Sequence, residues 1–118
     1  MDSKQVDLIL SGASGRMGRE ILKLVMGNDN FRLIGALENK NCVEIGQDAV
    51  KFIGQNSGIK ITDNVGSISF KNQKNLVLID FSNPKNTIKM LDMCVFKSIG
   101  MVIGTTGFSE KELLLLKQ

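Results

Sequence analysis

The sequence predicts an α/β domain: a doubly wound, mostly parallel sheet with helices on both faces. Short aliphatic runs alternate with helical apolar patterns, a glycine-rich turn joins the first run to the first helix, and polar turns close the later runs. At 118 residues and 42% hydrophobic the chain has room for one domain with a core of its own.

Val6 to Ser11 (V-D-L-I-L-S) is an aliphatic run of the kind buried in parallel sheets, and predicts the first strand. After the turn Gly12 to Gly15, apolar Met17, Ile21, Leu24 and Val25 recur at helical spacing, and Gly27 with Asn28 supplies a stop. Phe31 to Glu38 predicts the second strand, which completes a βαβ unit with a right-handed crossover. From Asn39 to Asn75 the pattern is weaker, with a strand expected at Ile59 to Thr62 and a short helix near Asp48 to Ile53. Leu76 to Phe81 predicts another strand. Asn83 is placed to cap the following helix, Pro84 to open it, and its sheet-facing stripe reads Ile88, Leu91, Cys94 and Val95. Met101 to Gly104 predicts a further strand, and Ser109 to Glu112 has the form of a capping box before a last helix. Four successive leucines, Leu113 to Leu116, cannot all face one core from a terminal turn, so the chain is expected to be a piece of a longer protein.

Composition removes several function classes. With no histidine, histidine acid–base chemistry, Ser-His-Asp and Cys-His sites and most zinc sites are excluded. Cys42 and Cys94 lie 52 positions apart with no C-x-x-C spacing, which points to free thiols and a cytoplasmic setting. No apolar run is long enough for a membrane span. The net charge of +3 comes from scattered lysines without interleaved aromatics, so neither nucleic acid nor membrane is expected as a partner, and a small anion is.

Gly12-Ala13-Ser14-Gly15-Arg16-Met17-Gly18 stands between a strand and a helix with the spacing G-x-x-G-x-x-G, a relative of the dinucleotide fingerprint. Such glycines let backbone amides and the positive helix end approach a pyrophosphate, although the same pattern also serves a plain strand–helix turn. Glu38, 20 residues beyond Gly18, is where a carboxylate accepts hydrogen bonds from the adenosine ribose, or is simply the first solvated residue after a strand. Because Glu38 would repel a 2′-phosphate, NADH is favoured over NADPH, which Lys40 or Arg16 could still admit. Phe81-Ser82-Asn83 and Gly104-Thr105-Thr106-Gly107 follow strands and should gather beside the glycine loop, offering amides and hydroxyls to a carboxamide or carboxylate. Asp80 is read as a cap on nearby backbone amides rather than a lone catalytic acid, and Cys94 as a core residue.

On three segments, Gly12 to Arg19, Leu76 to Pro84 (L-V-L-I-D-F-S-N-P) and Gly100 to Phe108 (G-M-V-I-G-T-T-G-F), the chain resembles the amino-terminal domain of the dihydrodipicolinate reductases of lysine and diaminopimelate synthesis. The resemblance implies a Rossmann-like dinucleotide-binding domain over residues 1–118. In it Gly12, Ala13, Ser14, Gly15, Arg16 and Met17 hold the pyrophosphate, Glu38 and Asn39 the adenosine ribose, and Gly104, Thr105 and Thr106 the nicotinamide side, with Phe81 and Ser82 nearby. It further implies hydride transfer from NADH or NADPH to a cyclic dicarboxylate, with Thr106 also contacting the substrate carboxylate and no metal involved. Asn39 stands where many members that use NADPH well carry arginine, which speaks against a strong NADPH preference and leaves NADH or dual use. Members continue into a second domain that builds a homotetramer and supplies a histidine-rich stretch and a lysine to the substrate pocket. That domain is absent from this sequence, so the chain is expected to bind cofactor without turning over and to contain no catalytic residue. The rival expectation is a stand-alone NAD(H)-sensing module that docks a protein partner through Leu113 to Leu116.

Overall fold

The computed structural model describes residues 5–68, 75–97 and 99–104. Its strands are β1 (Val6–Ser11), β2 (Phe31–Leu37), β3 (Ile61–Thr62), β4 (Leu76–Asp80) and β5 (Gly100–Ile103), with helices α1 (Arg16–Met26) and α2 (Pro84–Lys97). They form one sheet in the order β3-β2-β1-β4-β5, and every strand pairing in it is parallel. The order reverses between β1 and β4, the point at which open α/β sheets bind ligands beyond their carboxyl ends.

Alternation along β1 builds two cores. Leu8 and Leu10 point to the face covered by α1, packing with Leu22, Val25, Leu33 and Ala36, while Ile9 points to the face covered by α2, with Leu37, Leu78, Met90 and Cys94. The expected helices on both faces are therefore present. The two helix faces are corrected. Along α1, Met17 and Leu24 are exposed, at 48% and 70%, and the fully buried residue is Leu22, which with Gly18 and Val25 forms the inward stripe. Along α2, Val95 is 71% exposed and the inward stripe is Thr87, Met90 and Cys94. In both helices the stripe is rotated because a small or polar residue, Gly18 or Thr87, occupies an inward position beneath the glycine loop and β4 where close approach matters more than apolarity.

In the middle segment the expected strand shortens to β3, and the expected short helix is a 3₁₀ turn at Lys51–Ile53. Asp48 organises this loop by accepting from the backbone amides of Val50 (3.0 Å), Ser57 (3.0 Å) and Gly58 (2.8 Å) and from the Ser57 hydroxyl (3.0 Å). Burial pushes its carboxyl upward, but these donors outweigh it and hold Asp48 below the usual carboxylate range. At the amino edge of the sheet, Arg32 makes a two-pronged pair with buried Asp7, at 2.8 and 3.1 Å, joining β1 to β2 at their facing positions. Among the described residues no helix is long and apolar enough to cross a membrane. The last helix expected from Ser109, and Leu113 to Leu116, lie outside the described residues.

Candidate functional site

The turn from β1 to α1 is shaped by three glycines with different duties. Gly12 has φ +87°, and a Cβ there would sit 2.7 Å from the Phe81 carbonyl oxygen, so only glycine lets this turn pass the end of β4. A Cβ at Gly18 would lie 2.1 Å from the Gly12 carbonyl oxygen, so Gly18 lets α1 press against the turn that precedes it. Gly15 differs: its φ is −75°, and a Cβ would meet only the Gly12 carbonyl oxygen, at an ordinary 3.5 Å. Nothing inside the protein demands a glycine there, and the open space is on the side of the helix end.

Gly15 is the N-cap of α1 and supplies no side-chain cap, and the first turn carries no acid. The first-turn amides of an α-helix lack intrahelical partners, so this end presents donors and positive dipole to whatever lies over it. The loop amides ahead of the helix are not free in the same way. Gly12 and Ala13 both donate to the Leu37 carbonyl, at 3.0 and 3.1 Å, Gly15 to the Gly12 carbonyl at 3.2 Å, and Ser14 to Glu38 Oε2 at 2.9 Å. Arg16 and Met17 are exposed at the first turn of the helix.

Glu38, just past β2, thus reaches the glycine loop. Its other oxygen, Oε1, accepts from the Asn39 amide at 2.9 Å, while the Asn39 side chain turns back to accept from the Asn41 amide, also at 2.9 Å. Glu38 and Asn39 line a cleft with Ser11 and Gly12 from the end of β1, Leu37 from β2, Asp63 and Val65 from beyond β3, and Ser82, Asn83, Asn86 and Met90 from the β4–α2 side. The cleft has an apolar wall of Leu37, Val65 and Met90, a carboxylate rim, and no lysine or arginine among the described residues that line it.

A polar network fixes the far side. Asp80, fully buried at the end of β4, accepts from the hydroxyls of Ser82 (2.6 Å) and Thr87. The Asn86 side-chain amide donates to Ser82 Oγ (2.8 Å) and to Ser11 Oγ (3.0 Å), which ties β1, β4 and α2 together below the cleft. Asp80 therefore acts on side-chain hydroxyls as an anchor for this edge. Beneath it, Cys94 is 2% exposed, and burial together with the Asp80 charge pushes its thiol up to about 11, which leaves it un-ionised and unreactive at neutral pH.

Residues 6–118 match the family described as "Dihydrodipicolinate reductase, N-terminus". The chain belongs to the dihydrodipicolinate reductase family. It is 43% identical over 107 residues to the 4-hydroxy-tetrahydrodipicolinate reductase of Nitrosospira multiformis, covering 91% of this chain and 39% of that protein. With the enzyme of the same name from Burkholderia multivorans the identity is 34% over 109 residues, covering 92% and 40%. Among solved structures, a dipicolinate-bound dihydrodipicolinate reductase from Paenisporosarcina sp. TG-14 superposes with TM-score 0.68 at 25% identity, covering 93% of this chain and 41% of that one. The chain thus spans about two fifths of the length of the relatives it matches. The Rossmann-like fold and the family agree with the expectation from sequence.

Within this reductase fold, Phe81 and Gly104 come together as neighbours: the Gly104 amide donates to the Asp80 carbonyl at 2.8 Å, and a Cβ on Gly104 would lie 2.0 Å from the Phe81 ring. Gly104 therefore seats the aromatic ring at the ends of β4 and β5. Thr105 and Thr106 lie outside the described residues. Sequence reasoning missed Asp63, Asn86 and Met90 as cleft residues. Asp63 had a signal, since it follows a strand as Glu38 does, but β3 is only two residues long and gives little periodicity to read.

Proposed function

We propose that this chain is the cofactor-binding part of a reductase that transfers a hydride from a nicotinamide dinucleotide to a cyclic dihydrodipicolinate-type dicarboxylate in the synthesis of diaminopimelate and lysine. The observation that carries the reading is the bare amino end of α1 at the sheet's switch point, with open space at Gly15 and a carboxylate, Glu38, across the loop. The residues fit the group. Gly12 to Met17 would hold the pyrophosphate through the first-turn amides of α1, with Arg16 adding positive charge from the surface. Glu38 keeps lone pairs on both oxygens for ribose hydroxyls while its two backbone donors hold it in place. Leu37, Val65 and Met90 offer an apolar wall for the adenine.

The cofactor supplies the hydride, and the chain's part is to bind and orient it. Phe81, seated on Gly104, and Ser82, held by Asp80 and Asn86, form the edge toward the nicotinamide side, with Thr105 and Thr106 assigned there by family resemblance. The same resemblance also assigns Thr106 a contact with the substrate carboxylate. A cleft rimmed by Glu38 and lacking lysine and arginine among its described lining residues favours NADH over NADPH, and the Asn39 side chain is committed to its own turn. The 118 residues contain no histidine, and on this reading the chain by itself binds cofactor without turnover, while a protein of the relatives' full length would be a cytoplasmic homotetramer with residues other than these completing the substrate pocket.

Calorimetric titration of the 118-residue chain with NADH and then NADPH, alongside Gly15→Val, tests the reading. The expected result is micromolar NADH binding, weaker NADPH binding, and loss of both in the folded variant. No heat from either cofactor in a folded sample would overturn it.

A further inference from the structure

We infer that Asp63 is a second specificity-determining residue of the cofactor site, one that discriminates against a 2′-phosphate on the adenosine ribose by charge. The inference rests on the proposed dinucleotide site. Leu37 and Thr62 are facing partners in the parallel β2–β3 pairing, and the next amide, that of Glu38, donates to the Thr62 carbonyl at 3.0 Å. One residue further on, Glu38 and Asp63 leave adjacent strand ends in the same direction, and both line the cleft. Neighbouring strands stand about 4.8 Å apart, so two carboxylates leaving neighbouring ends place two negative charges on one short stretch of rim.

The two carboxylates differ in commitment. Glu38 is held by the amides of Ser14 and Asn39, whereas Asp63 is exposed and has no hydrogen bond or ion pair among the described residues. No lysine or arginine among the described residues lines the cleft to offset either. Glu38 can offset its repulsion of the adenosine end by accepting from ribose hydroxyls, while an exposed carboxylate beside it contributes only its field. A neutral 2′-hydroxyl is indifferent to that field, and a 2′-phosphate dianion is not. Asp63 therefore acts on the choice between cofactors and little on affinity for NADH.

The test uses the 118-residue chain and Asp63→Asn, titrated with NADH and NADPH at low ionic strength and at 0.5 M salt. In the variant, NADH affinity is expected to stay within about twofold and NADPH affinity to rise about fivefold at low salt, with the gain shrinking below about twofold at high salt as screening sets in. Thermal melting of the variant within a few degrees of the parent, together with its retained NADH binding, shows that the site is intact. An unchanged NADPH-to-NADH ratio at low salt, or equal changes in both affinities, would overturn the role of Asp63 while leaving the cofactor site standing. Failure of the parent chain to bind either cofactor would overturn both.

Discussion

The two helices of this domain begin in opposite ways. α2 opens with Asn83, whose side chain accepts from the Asn86 amide at 3.0 Å and whose carbonyl accepts from Thr87 at 2.9 Å, followed by Pro84, which has no amide to satisfy. α1 opens with Gly15, which brings no side chain at all, although its backbone conformation would accept one. One helix end is closed by the chain itself, and the other leaves its donors and dipole directed at the sheet's switch point. On the cofactor reading proposed above, the open end is the one that receives the pyrophosphate, a distinction that glycine spacing by itself does not make.

The sharpest way to break this contrast is to give α1 a cap of its own. Gly15→Asp places a carboxylate where α2 has Asn83, and should raise folding stability by up to about 1 kcal/mol while weakening NADH binding more than about 100-fold, roughly 3 kcal/mol. Denaturant unfolding and calorimetry on the same sample read both effects, and equal NADH affinity would refute the contrast. Gly18→Ala probes the same loop through packing. Its Cβ would lie 2.1 Å from a backbone oxygen, so a loss of about 3 kcal/mol in unfolding free energy is expected. Removing the α2 cap by Asn83→Ala should cost about 1 kcal/mol, measurable as a lower denaturation midpoint.

The smallest expected effect sharpens a parallel contrast between Glu38 and Asp48. Glu38 takes its two amide donors from the glycine loop and from Asn39 and faces the cleft, whereas Asp48 accepts three backbone amides and a hydroxyl from its own loop. Because the folded Asp48 titrates below its unfolded value of about 3.9, its contribution is fully present above that pH and is lost as the pH falls through the lower folded value. Asp48→Asn should therefore flatten the fall in melting temperature below about pH 4 and leave NADH affinity within about twofold. A variant that loses NADH binding would place Asp48 in the site rather than in the scaffold.

Much of this was legible in the sequence where one kind of physics dominates. β1 and the glycine turn read directly because a buried parallel strand needs an unbroken aliphatic run and the turn's tight contacts need glycine at 12 and 18. Asn83-Pro84 read as a helix start because capping chemistry is local. Helix faces read poorly: Thr87 is buried because it donates to Asp80 across seven positions, and Leu22 replaces Met17 and Leu24 because Gly18 sets the rotation of α1 against the turn. The cleft was half legible. Glu38 stood at a spacing that chemistry dictates, but Asp63, Asn86 and Met90 enter it through strand order and helix placement, which no local pattern encodes.

Whether the cofactor sits on the glycine loop is read by following the backbone amide resonances of the 118-residue chain as NADH is added. The largest shifts are expected on Ser14 to Gly18, Glu38 and Asn39, and Ser82 and Asn83, while the loop held by Asp48, residues 48–58, stays unmoved. Shifts centred on the Asp48 loop, or spread over α2 with the glycine loop silent, would contradict it.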